Sequence, residues 1–230
     1  MTATLPIDIH THHTPTPPAT AIVCHTPADV PPYCPARQAT PPTWLSVGIH
    51  PWDVGPAQKA GQLPRLLALL AGALARPDVV AIGEAGLDKL ATAPMELQTD
   101  VFLQQARMAE ETGKPLVIHL VKAQAELLAA HRMLRPTVPW ILHGFRGKAQ
   151  LANDYLRHGF WLSFGEHWQA EALRTVPSDR LLLETDDCPT PLPVLLQRVA
   201  QARETTPERL LPTLQDNVRR VFFPSFCCYY

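Results

Sequence analysis

Short apolar runs recur along the whole chain, and most of them contain Val, Ile or Leu with little alternation of polar residues. Strands that are buried on both faces of a parallel sheet have this pattern. Eight such runs occur, at residues 7–10, 21–24, 45–50, 79–84, 116–119, 140–143, 161–164 and 181–185. We therefore predict eight buried strands.

Apolar residues repeat with a helical period between the later runs. Leucines follow this spacing from Leu63 to Leu74, and a second helix is predicted between Pro94 and Gly113, which are residue types common at helix starts and ends. Further helices are predicted at 123–134, 149–158, 191–202 and 207–221. Alternating strands and helices, with eight strands, favour a (β/α)8 TIM barrel, an α/β fold, as a single domain over residues 1–230. An open doubly wound sheet is the alternative.

Prolines interrupt the first part of the chain. Of the 25 prolines, 12 fall in the first 60 residues, and the stretches 11–20 and 25–43 are broken too often to hold long helices. We expect ordered loops there. The outer helices after the first two strands should then be absent or reduced to short turns.

Composition limits the possible classes of protein. The 230 residues are 46% hydrophobic, which is enough for one sizeable core, and the net charge of -1 gives no global attraction to nucleic acid or to an anionic membrane. No segment is long and apolar enough to span a bilayer, so we expect a cytoplasmic protein without a membrane partner. The five cysteines are odd in number and lack CxxC spacing, which indicates reduced thiols.

Polar groups able to bind metal or substrate stand at the ends of these apolar runs. They are His10, His12, His50, Glu84, His119, His143, Ser163, Glu184 and Asp186. In a barrel the carboxyl ends of the strands converge on one mouth, so groups scattered along the sequence would meet in one pocket. This distribution favours the barrel over the open sheet.

Imidazoles and carboxylates are the ordinary ligands of Zn²⁺ and Mn²⁺. Six candidate ligands are available, namely His10, His12, Glu84, His119, His143 and Asp186. A catalytic zinc usually takes only three ligands from the protein, so we predict two divalent ions, zinc, manganese or magnesium. A bridging Glu84 would suit the separation of about 3.5 to 4 Å that is typical of paired hydrolytic metals.

Seven motifs, in order along the chain, resemble those of the TatD-related metal-dependent deoxyribonucleases, which are amidohydrolase-like barrels. They are IDIHTH, SVGIHPW, AIGEAGLD, PLVIH, ILHGFRG, FWLSFGE and LLLETDDCP. The resemblance extends from about residue 6 to the NVRRVF segment near the C-terminus, and this chain is similar to a short variant of the family.

The resemblance implies a site and a reaction. One ion is held by His10, His12, Glu84 and Asp186, and the other by Glu84, His119 and His143. It also implies hydrolysis of phosphodiester bonds through a water that two metal ions activate. The expected catalytic residues are Glu84 and Asp186, and Asp186 orients the water and accepts its proton.

Several positions near the predicted mouth differ from the family pattern. The usual HxRDA is HLVKA here, which places Lys122 at the aspartate position, and the usual HCFSG is HGFRG, which adds Arg146. We expect Arg146 and Lys122, with Lys148, to contact substrate phosphate, or else to be ordinary surface cations. The loop after ETD is shortened.

Four further polar residues are expected near the mouth, and two of them, His50 and Ser163, have two interpretations each. His50 would line the pocket and bind substrate, or fix its loop through a hydrogen bond. Ser163 would hydrogen-bond substrate or cap its strand. Glu184 and Asp88 are expected to orient metal-bound imidazoles.

The expected substrates are DNA ends, short oligonucleotides or small phosphodiesters, because a near-neutral chain with trimmed loops offers few contacts to a long duplex. The alternative is an amidohydrolase-like enzyme that hydrolyses a small ester, lactone or amide. Glu84 disfavours it, since it occupies the place of the lysine that would form a carbamate bridge. The uncovered flank of the barrel would be shielded by the proline-rich loops in a monomer or by a second subunit in a homodimer.

Overall fold

Residues 6–15, 20–34 and 43–224 are described by the computed structural model of the protein. Eight strands follow one another in one sheet in chain order, and pairing between β1 and β2, β3 and β4, β4 and β5, β6 and β7, and β7 and β8 is parallel. The strands are β1 (Asp8–Thr11), β2 (Ala21–His25), β3 (Thr43–Val47), β4 (Val79–Asp88), β5 (Leu116–Val121), β6 (Trp140–Leu142), β7 (Trp161–Phe164) and β8 (Leu181–Leu183). Each overlaps one of the predicted runs.

Helices fill the connections that follow β3. They are α1 (Pro51–Lys59), α2 (Leu63–Leu74), α3 (Met95–Thr112), α4 (Gln124–Leu134), α5 (Ala149–Arg157), α6 (Ala170–Thr175), a 3₁₀ helix (Ser178–Arg180), α7 (Leu192–Ala202) and α8 (Pro207–Phe222). A sheet in chain order whose strands alternate with helices has the connectivity of a (β/α)8 barrel. The described residues of the two earlier connections, 12–15 with 20 and 26–34, contain no helix.

Two helices were not predicted from the sequence. The first, α1, contains Pro56, and its hydrophobic periodicity is weak; it is held by a cap from His50 and by burial of Val54 in a core with Ile49. The second, α6, has only six residues. Both depend on tertiary contacts that local periodicity does not reveal.

The C-terminal tail is described only as far as Pro224, and the interiors of the proline-rich loops, 16–19 and 35–42, lie outside the described residues. Cys227 and Cys228 lie outside them as well, whereas the described Cys24, Cys34 and Cys188 are not joined by disulfides. Within the part of the chain that the structure describes, no helix is both apolar and long enough to cross a membrane.

Internal packing divides the chain into two compact units. One comprises Met1–Val23, Pro35–Trp44 and Ile141–Tyr230, and the other comprises Cys24–Cys34 and Leu45–Trp140. We call them the Asp186 unit and the Glu84 unit, after an acidic residue that each contains. The single domain over residues 1–230 stays a prediction.

Two buried glutamines of α3 fasten the ends of strands in the Glu84 unit. Gln105 accepts a hydrogen bond from the N–H of Ile49 at 2.7 Å, and its amide group donates to the carbonyl of Ile49 at 3.1 Å. Gln98 makes the same two bonds with the backbone of Asp88, at 2.8 and 2.9 Å. Satisfied buried amides fix the backbone they bind. As a result, α3 positions the residues that follow β3 and the residue that ends β4.

Close backbone contacts in the same unit require two glycines. A Cβ atom on Gly86 would lie 2.0 Å from the carbonyl oxygen of His119, and one on Gly48 would lie 2.5 Å from the carbonyl oxygen of Glu84. Both distances are far shorter than van der Waals contact, so only glycine fits. These glycines let neighbouring backbones approach where Glu84 and His119 are presented.

In the Asp186 unit, α8 holds the beginning of the last strand. The buried amide of Asn217 donates to the carbonyl oxygens of Ser178 at 2.7 Å and Leu181 at 2.8 Å. These bonds satisfy carbonyls at the 3₁₀ helix and at the start of β8, which would otherwise be costly to bury. The strand that leads to Asp186 therefore begins from a fixed point.

Candidate functional site

The six residues predicted to bind metal and three polar neighbours, His50, Asp88 and Glu184, fall into two clusters, one in each unit. The Asp186 cluster consists of His10, His12, His143, Glu184 and Asp186. The Glu84 cluster consists of His50, Glu84, Asp88 and His119. Asp88 ends its strand, and His12, His50, His143, Glu184 and Asp186 lie one to three residues beyond a strand end. His10, Glu84 and His119 lie inside their strands, because β1, β4 and β5 continue past the ends of the predicted runs.

Two histidines of β1 and its exit face the carboxylate of Asp186. The Nε2 atoms of His10 and His12 lie 3.7 and 3.5 Å from Oδ1 of Asp186. One ligand atom from each of the three residues lies within 4.8 Å of the other two, close enough to share an ion. The His10 side chain is completely buried, and that of His12 is 34% exposed. His13 is 67% exposed, and its Nε2 lies 3.7 Å from Asp187, outside this group.

Asp186 adopts a backbone conformation that is uncommon for a residue with a side chain, with φ of 55°. Its N–H donates to the carbonyl of His10 at 3.0 Å, and its carbonyl accepts from the N–H of His12 at 3.3 Å and the hydroxyl of Thr11 at 3.2 Å. A residue in this region costs of order 1 kcal/mol and persists where its surroundings fix it. The exit of β1 provides that support.

Asp8 joins the start of β1 to the chain just after β8. Its carboxylate accepts from the hydroxyl of Thr185 at 2.6 Å, from the N–H of Thr185 at 3.1 Å and from the N–H of His10 at 3.2 Å. Burial raises the pKa of Asp8 to about 7, although these hydrogen bonds oppose the shift. Asp8 was not predicted from the sequence. It precedes His10 by two positions and accepts hydrogen bonds from the backbone N–H groups of His10 and Thr185.

Glu184 orients the ring of His143 and the backbone beside it. Its Oε1 atom accepts from the N–H of Gly144 at 2.6 Å and lies 3.4 Å from Nδ1 of His143. The Glu184 side chain is fully buried, and Oε2 has no hydrogen-bond partner within the described residues. The geometry fits the expected orienting role. His143, Glu184 and Asp186 also bring one ligand atom each within 4.8 Å of the others.

In the Glu84 cluster, two imidazoles face one carboxylate oxygen. Oε1 of Glu84 lies 3.3 Å from Nδ1 of His119 and 3.8 Å from Nε2 of His50. The Glu84 side chain is only 6% exposed. The three ligand atoms lie within 4.8 Å of one another, so His50 joins a group that could bind a metal ion, a role the sequence did not favour for it.

Asp88 ends β4 and contacts both His119 and the indole of Trp52. Its Oδ2 atom accepts from Nε1 of Trp52 at 2.6 Å and lies 3.2 Å from Nε2 of His119. Burial alone would raise the pKa of Asp88, but hydrogen bonds from Leu90, Trp52 and His119 lower it below its usual value. A carboxylate that binds one imidazole nitrogen leaves the other nitrogen for a metal ion. Here that second nitrogen is Nδ1, which faces Glu84.

His50 caps α1. Its Nδ1 accepts the N–H of Trp52 at 3.2 Å, so the loop-fixing interpretation of His50 is correct. With Nδ1 engaged in this bond, Nε2 is the nitrogen of His50 that faces Glu84. Binding of substrate by His50 stays a prediction.

Arg146 lines a pocket in the Asp186 unit beside the candidate ligands. The pocket is bounded by Gly144, Arg146, Gly165, Glu166, His167, Glu184, Thr185, Asp186, Asp187 and Cys188. Most of its charged groups are acidic, and Arg146 is its one Lys or Arg. The pocket thus combines a candidate phosphate ligand with the carboxylates.

Lys122 and Lys148 are exposed, Lys122 with φ of 56°. Ser163 lies inside β7, fully buried, and its hydroxyl has no partner in the part of the chain that is described. The contacts of Lys122 and Ser163 with substrate stay predictions.

Two residues of the Glu84 unit were not singled out from the sequence. The sequence indicates only a reduced thiol at Cys24, but its sulfur accepts the N–H of Glu84 at 3.2 Å and lies 3.4 Å from the carbonyl oxygen of Gly83. Trp52 contacts Asp88 as described above. The signal for Trp52 was available, because it follows His50 by two residues in the GIHPW motif.

The donor set fits divalent metal ions. Each cluster offers imidazole nitrogens and carboxylate oxygens, which suit zinc and manganese, and the acidic groups Asp88 and Glu184 hold the second nitrogen of His119 and a ring nitrogen of His143. Buried carboxylates and imidazoles in such groups are costly unless they are paired or coordinate metals. Metal binding would stabilise this arrangement.

Comparison with known proteins connects the chain to a family. The family model described as TatD related DNase matches residues 19–223. The metal-dependent hydrolase YabD of Bacillus subtilis strain 168 is 30% identical over 202 residues, covering 78% of this chain and 77% of YabD. The 3'-5' ssDNA/RNA exonuclease TatD of Cronobacter sakazakii is 33% identical over 211 residues, covering 79% of this chain and 78% of the relative.

A solved structure gives the fold. The crystal structure of a TatD family hydrolase from Entamoeba histolytica superposes with a TM-score of 0.75 at 15% identity, over 95% of this chain and 98% of that one. At this identity the likeness concerns the fold alone. Together with the order of the strands it confirms the predicted (β/α)8 barrel and excludes the open doubly wound sheet.

Proposed function

The chain belongs to the TatD related DNase family and is a metal-dependent hydrolase, and on this basis we propose that it cleaves phosphodiester bonds at DNA ends or in short single strands. The exonuclease relative from Cronobacter sakazakii, named for single-stranded DNA and RNA, supports this choice of substrate. The near-neutral charge of the chain supports short substrates over a long duplex, which would require many phosphate contacts.

The observation that carries the proposal is that each cluster contains ligand atoms of three residues within 4.8 Å of one another, such as His10, His12 and Asp186, or His50, Glu84 and His119. We assign one ion to His10, His12, Glu84 and Asp186 and the other to Glu84, His119 and His143. The assignment rests on the family motifs and on the convergence of strand ends at one mouth of a barrel. Glu84 would help to hold both ions in this scheme.

The protein groups have separate roles in the reaction. When bound, two divalent ions supply a nucleophile near neutral pH and offset the charge on the phosphoryl oxygens. Asp186 orients the attacking water and accepts the proton that it loses as the new P–O bond forms and the old one breaks. Asp88 and Glu184 keep the rings of His119 and His143 in position.

Arg146 supplies the main phosphate contact in this proposal. It lines the same pocket as Asp186, and a guanidinium can bind two phosphate oxygens at once. Lys122, His50 and Ser163 are further proposed substrate contacts. The acidic residues of the pocket, such as Glu166 and Asp187, would repel additional phosphates, so Arg146 selects one phosphate and not a run of them.

A metal analysis combined with a substrate panel tests the proposal. The panel contains single-stranded DNA, duplex DNA, RNA, bis-p-nitrophenyl phosphate and a set of simple esters, lactones and amides. We expect turnover of the single strands and the phosphodiester, loss of turnover with a chelator, and recovery when zinc, manganese or magnesium is restored.

The same panel separates the alternative reaction. Hydrolysis of an ester, lactone or amide without hydrolysis of any phosphodiester would replace the proposed function with the amidohydrolase-like one. Phosphodiester turnover that persists after metal has been removed to background would contradict the metal-dependent mechanism. Asp186→Asn is the variant to compare with wild type in this panel. It keeps the size of the side chain and removes the proposed proton acceptor.

A further inference from the structure

Trp52 is a large aromatic residue exposed at the edge of the Glu84 cluster. Its exposed fraction is 59%, although it lies in the first turn of α1, where Pro51 and Val54 are buried. We propose that the indole of Trp52 stacks on a nucleobase of the substrate. Cleavage then depends on the presence of a base, of any identity, next to the cleaved phosphate. The proposal rests on the proposed function and specifies which part of the substrate, besides phosphate, is recognised.

The orientation of the exposed ring is fixed. Nε1 of Trp52 donates to Oδ2 of Asp88 at 2.6 Å, and its backbone N–H is bonded to His50. The polar edge of the indole is therefore directed inward while much of the apolar ring remains in contact with water. A ring that is already immobilised loses little conformational entropy when a ligand stacks on it.

The ring of Trp52 lies close to the histidines of the Glu84 cluster. Its centroid is 5.4 Å from that of His50 and 6.3 Å from that of His119, with interplanar angles of 85° and 70°. The ring thus stands beside two imidazoles that face Glu84 without stacking flat on either. A base attached to the sugar of the reacting phosphodiester lies within a few ångströms of that phosphate, so the ring is within its reach.

Stacking suits single strands that must be bound without regard to sequence. Every base has an aromatic face, and stacking on a protein aromatic group supplies affinity that tolerates any base. Bases in a duplex are already stacked on their neighbours, whereas those of a single strand or a frayed end are available. Trp52 would therefore favour single-stranded ends without contributing a positive charge.

The experiment compares a trinucleotide with an analogue that has a tetrahydrofuran in place of the base at the cleaved nucleotide. The base dependence is the ratio of kcat/KM for the two substrates in the holoenzyme. We expect Trp52→Leu to reduce this ratio about tenfold, as loss of one stacked base does elsewhere. Trp52→Phe also loses the N–H donated to Asp88 but keeps an aromatic face, so it should retain the ratio within about threefold.

A matched control is Met133→Leu, because Met133 on α4 has the same exposed fraction of 59%. The ratio should not change in that variant. An unchanged ratio in Trp52→Leu overturns the proposal. An equal fall in Trp52→Leu and Trp52→Phe also overturns it, because the effect would then come from the hydrogen bond to Asp88.

A binding measurement separates this proposal from the proposed function. Calorimetric titration of the metal-free protein with the two trinucleotides gives an affinity ratio that needs no turnover. We expect the base-containing strand to bind more tightly to wild type and Trp52→Phe, and this advantage to be lost in Trp52→Leu. If wild type cleaves neither strand, the proposed function is wrong, and the affinity ratio alone decides the role of Trp52, with equal affinities overturning it.

Discussion

At the scale of the residue, His10, His12 and His13 differ in what they contact, although they lie within four positions of one another. Residues two apart in a strand share a face, which predicts that His10 and His12 act together and that His13 does not. The structure agrees in direction, since His10 and His12 both face Asp186 while His13 lies beside Asp187. β1 ends at Thr11, so strand alternation alone does not give the direction of the His12 side chain.

Removal of these histidines should have unequal effects. His10→Ala and His12→Ala each remove a proposed ligand, so kcat/KM should fall by more than about 100-fold, the upper range for residues that only support a ligand. His13→Ala should change kcat/KM by less than about threefold. Metal content and bis-p-nitrophenyl phosphate hydrolysis measured on all three variants check this. Equal losses at the three positions would mean that the exit of β1 has been assigned wrongly.

Asp88 offers a second test at single-residue scale. Asp88→Asn keeps the size of the side chain but replaces the carboxylate that contacts His119 and accepts from Trp52, so His119 is held less firmly. Metal affinity or activity should fall about 10- to 100-fold. Metal titration monitored by activity measures the change. Asp100→Asn on α3, which is exposed, is the control and should behave as wild type; an Asp88→Asn enzyme with wild-type affinity would exclude the orienting role.

At the scale of the elements, the strands were predictable because burial on two faces leaves a direct signature, as in the all-buried β4. Long helices such as α3 were also predictable from period and end residues. The buried residues that hold the strand ends in place were not predictable. Gln98 and Gln105 look like ordinary polar positions of α3, and their burial against Asp88 and Ile49 follows from tertiary packing that no local pattern encodes.

The bond between Asp8 and Thr185 should contribute strongly to stability. Thr185→Val keeps the shape of the side chain but removes the hydroxyl that donates to the buried carboxylate at 2.6 Å. Loss of a hydrogen bond to this buried carboxyl group should lower the free energy of unfolding by about 1 to 3 kcal/mol. Urea denaturation measures it. Thr112→Val, which removes an exposed hydroxyl at the end of α3, is the control, and equal effects of the two changes would contradict the buried bond.

Glu166 connects the loop after β7 to the region after β8 and gives a pH prediction. Hydrogen bonds from Cys188, Thr190 and Arg198 lower the pKa of Glu166 from 4.5 to about 2. Because the folded-state pKa lies below the unfolded one, the stabilisation is complete above pH 4.5 and is lost as the pH falls towards 2.

The Tm of wild type should therefore exceed that of Glu166→Gln at neutral pH, and the difference should narrow below about pH 4.5. Thermal unfolding from neutral to acidic pH measures both curves. Glu171→Gln, on the exposed side of α6, is the matched variant and should follow wild type. A difference that keeps its full size in acid would show that the charge of Glu166 is not involved.

At the scale of the whole molecule, charge limits how the protein can hold a polyanion. The formal net charge is -1, with 20 basic and 21 acidic residues, and the pocket beside Asp186 is mostly acidic. Composition predicted this weak global field, but only the structure shows that Arg146 is the single Lys or Arg of that pocket. Affinity must therefore come mainly from local contacts, such as Arg146 and the proposed metal ions, and only slightly from counterion release.

This balance predicts a weak dependence on salt. If one or two phosphates are contacted, the slope of log kcat/KM against log salt for a short single strand should be about -0.7 to -1.4. Arg146→Gln removes one contact, so its slope should be smaller in magnitude by about 0.7. Rates of trinucleotide cleavage between about 50 and 200 mM salt measure both. Arg132→Gln, an exposed change on α4, should leave the slope as in wild type. A steep wild-type slope, or one that Arg146→Gln does not change, would mean that the strand is held by cations elsewhere and that Arg146 does not bind its phosphate.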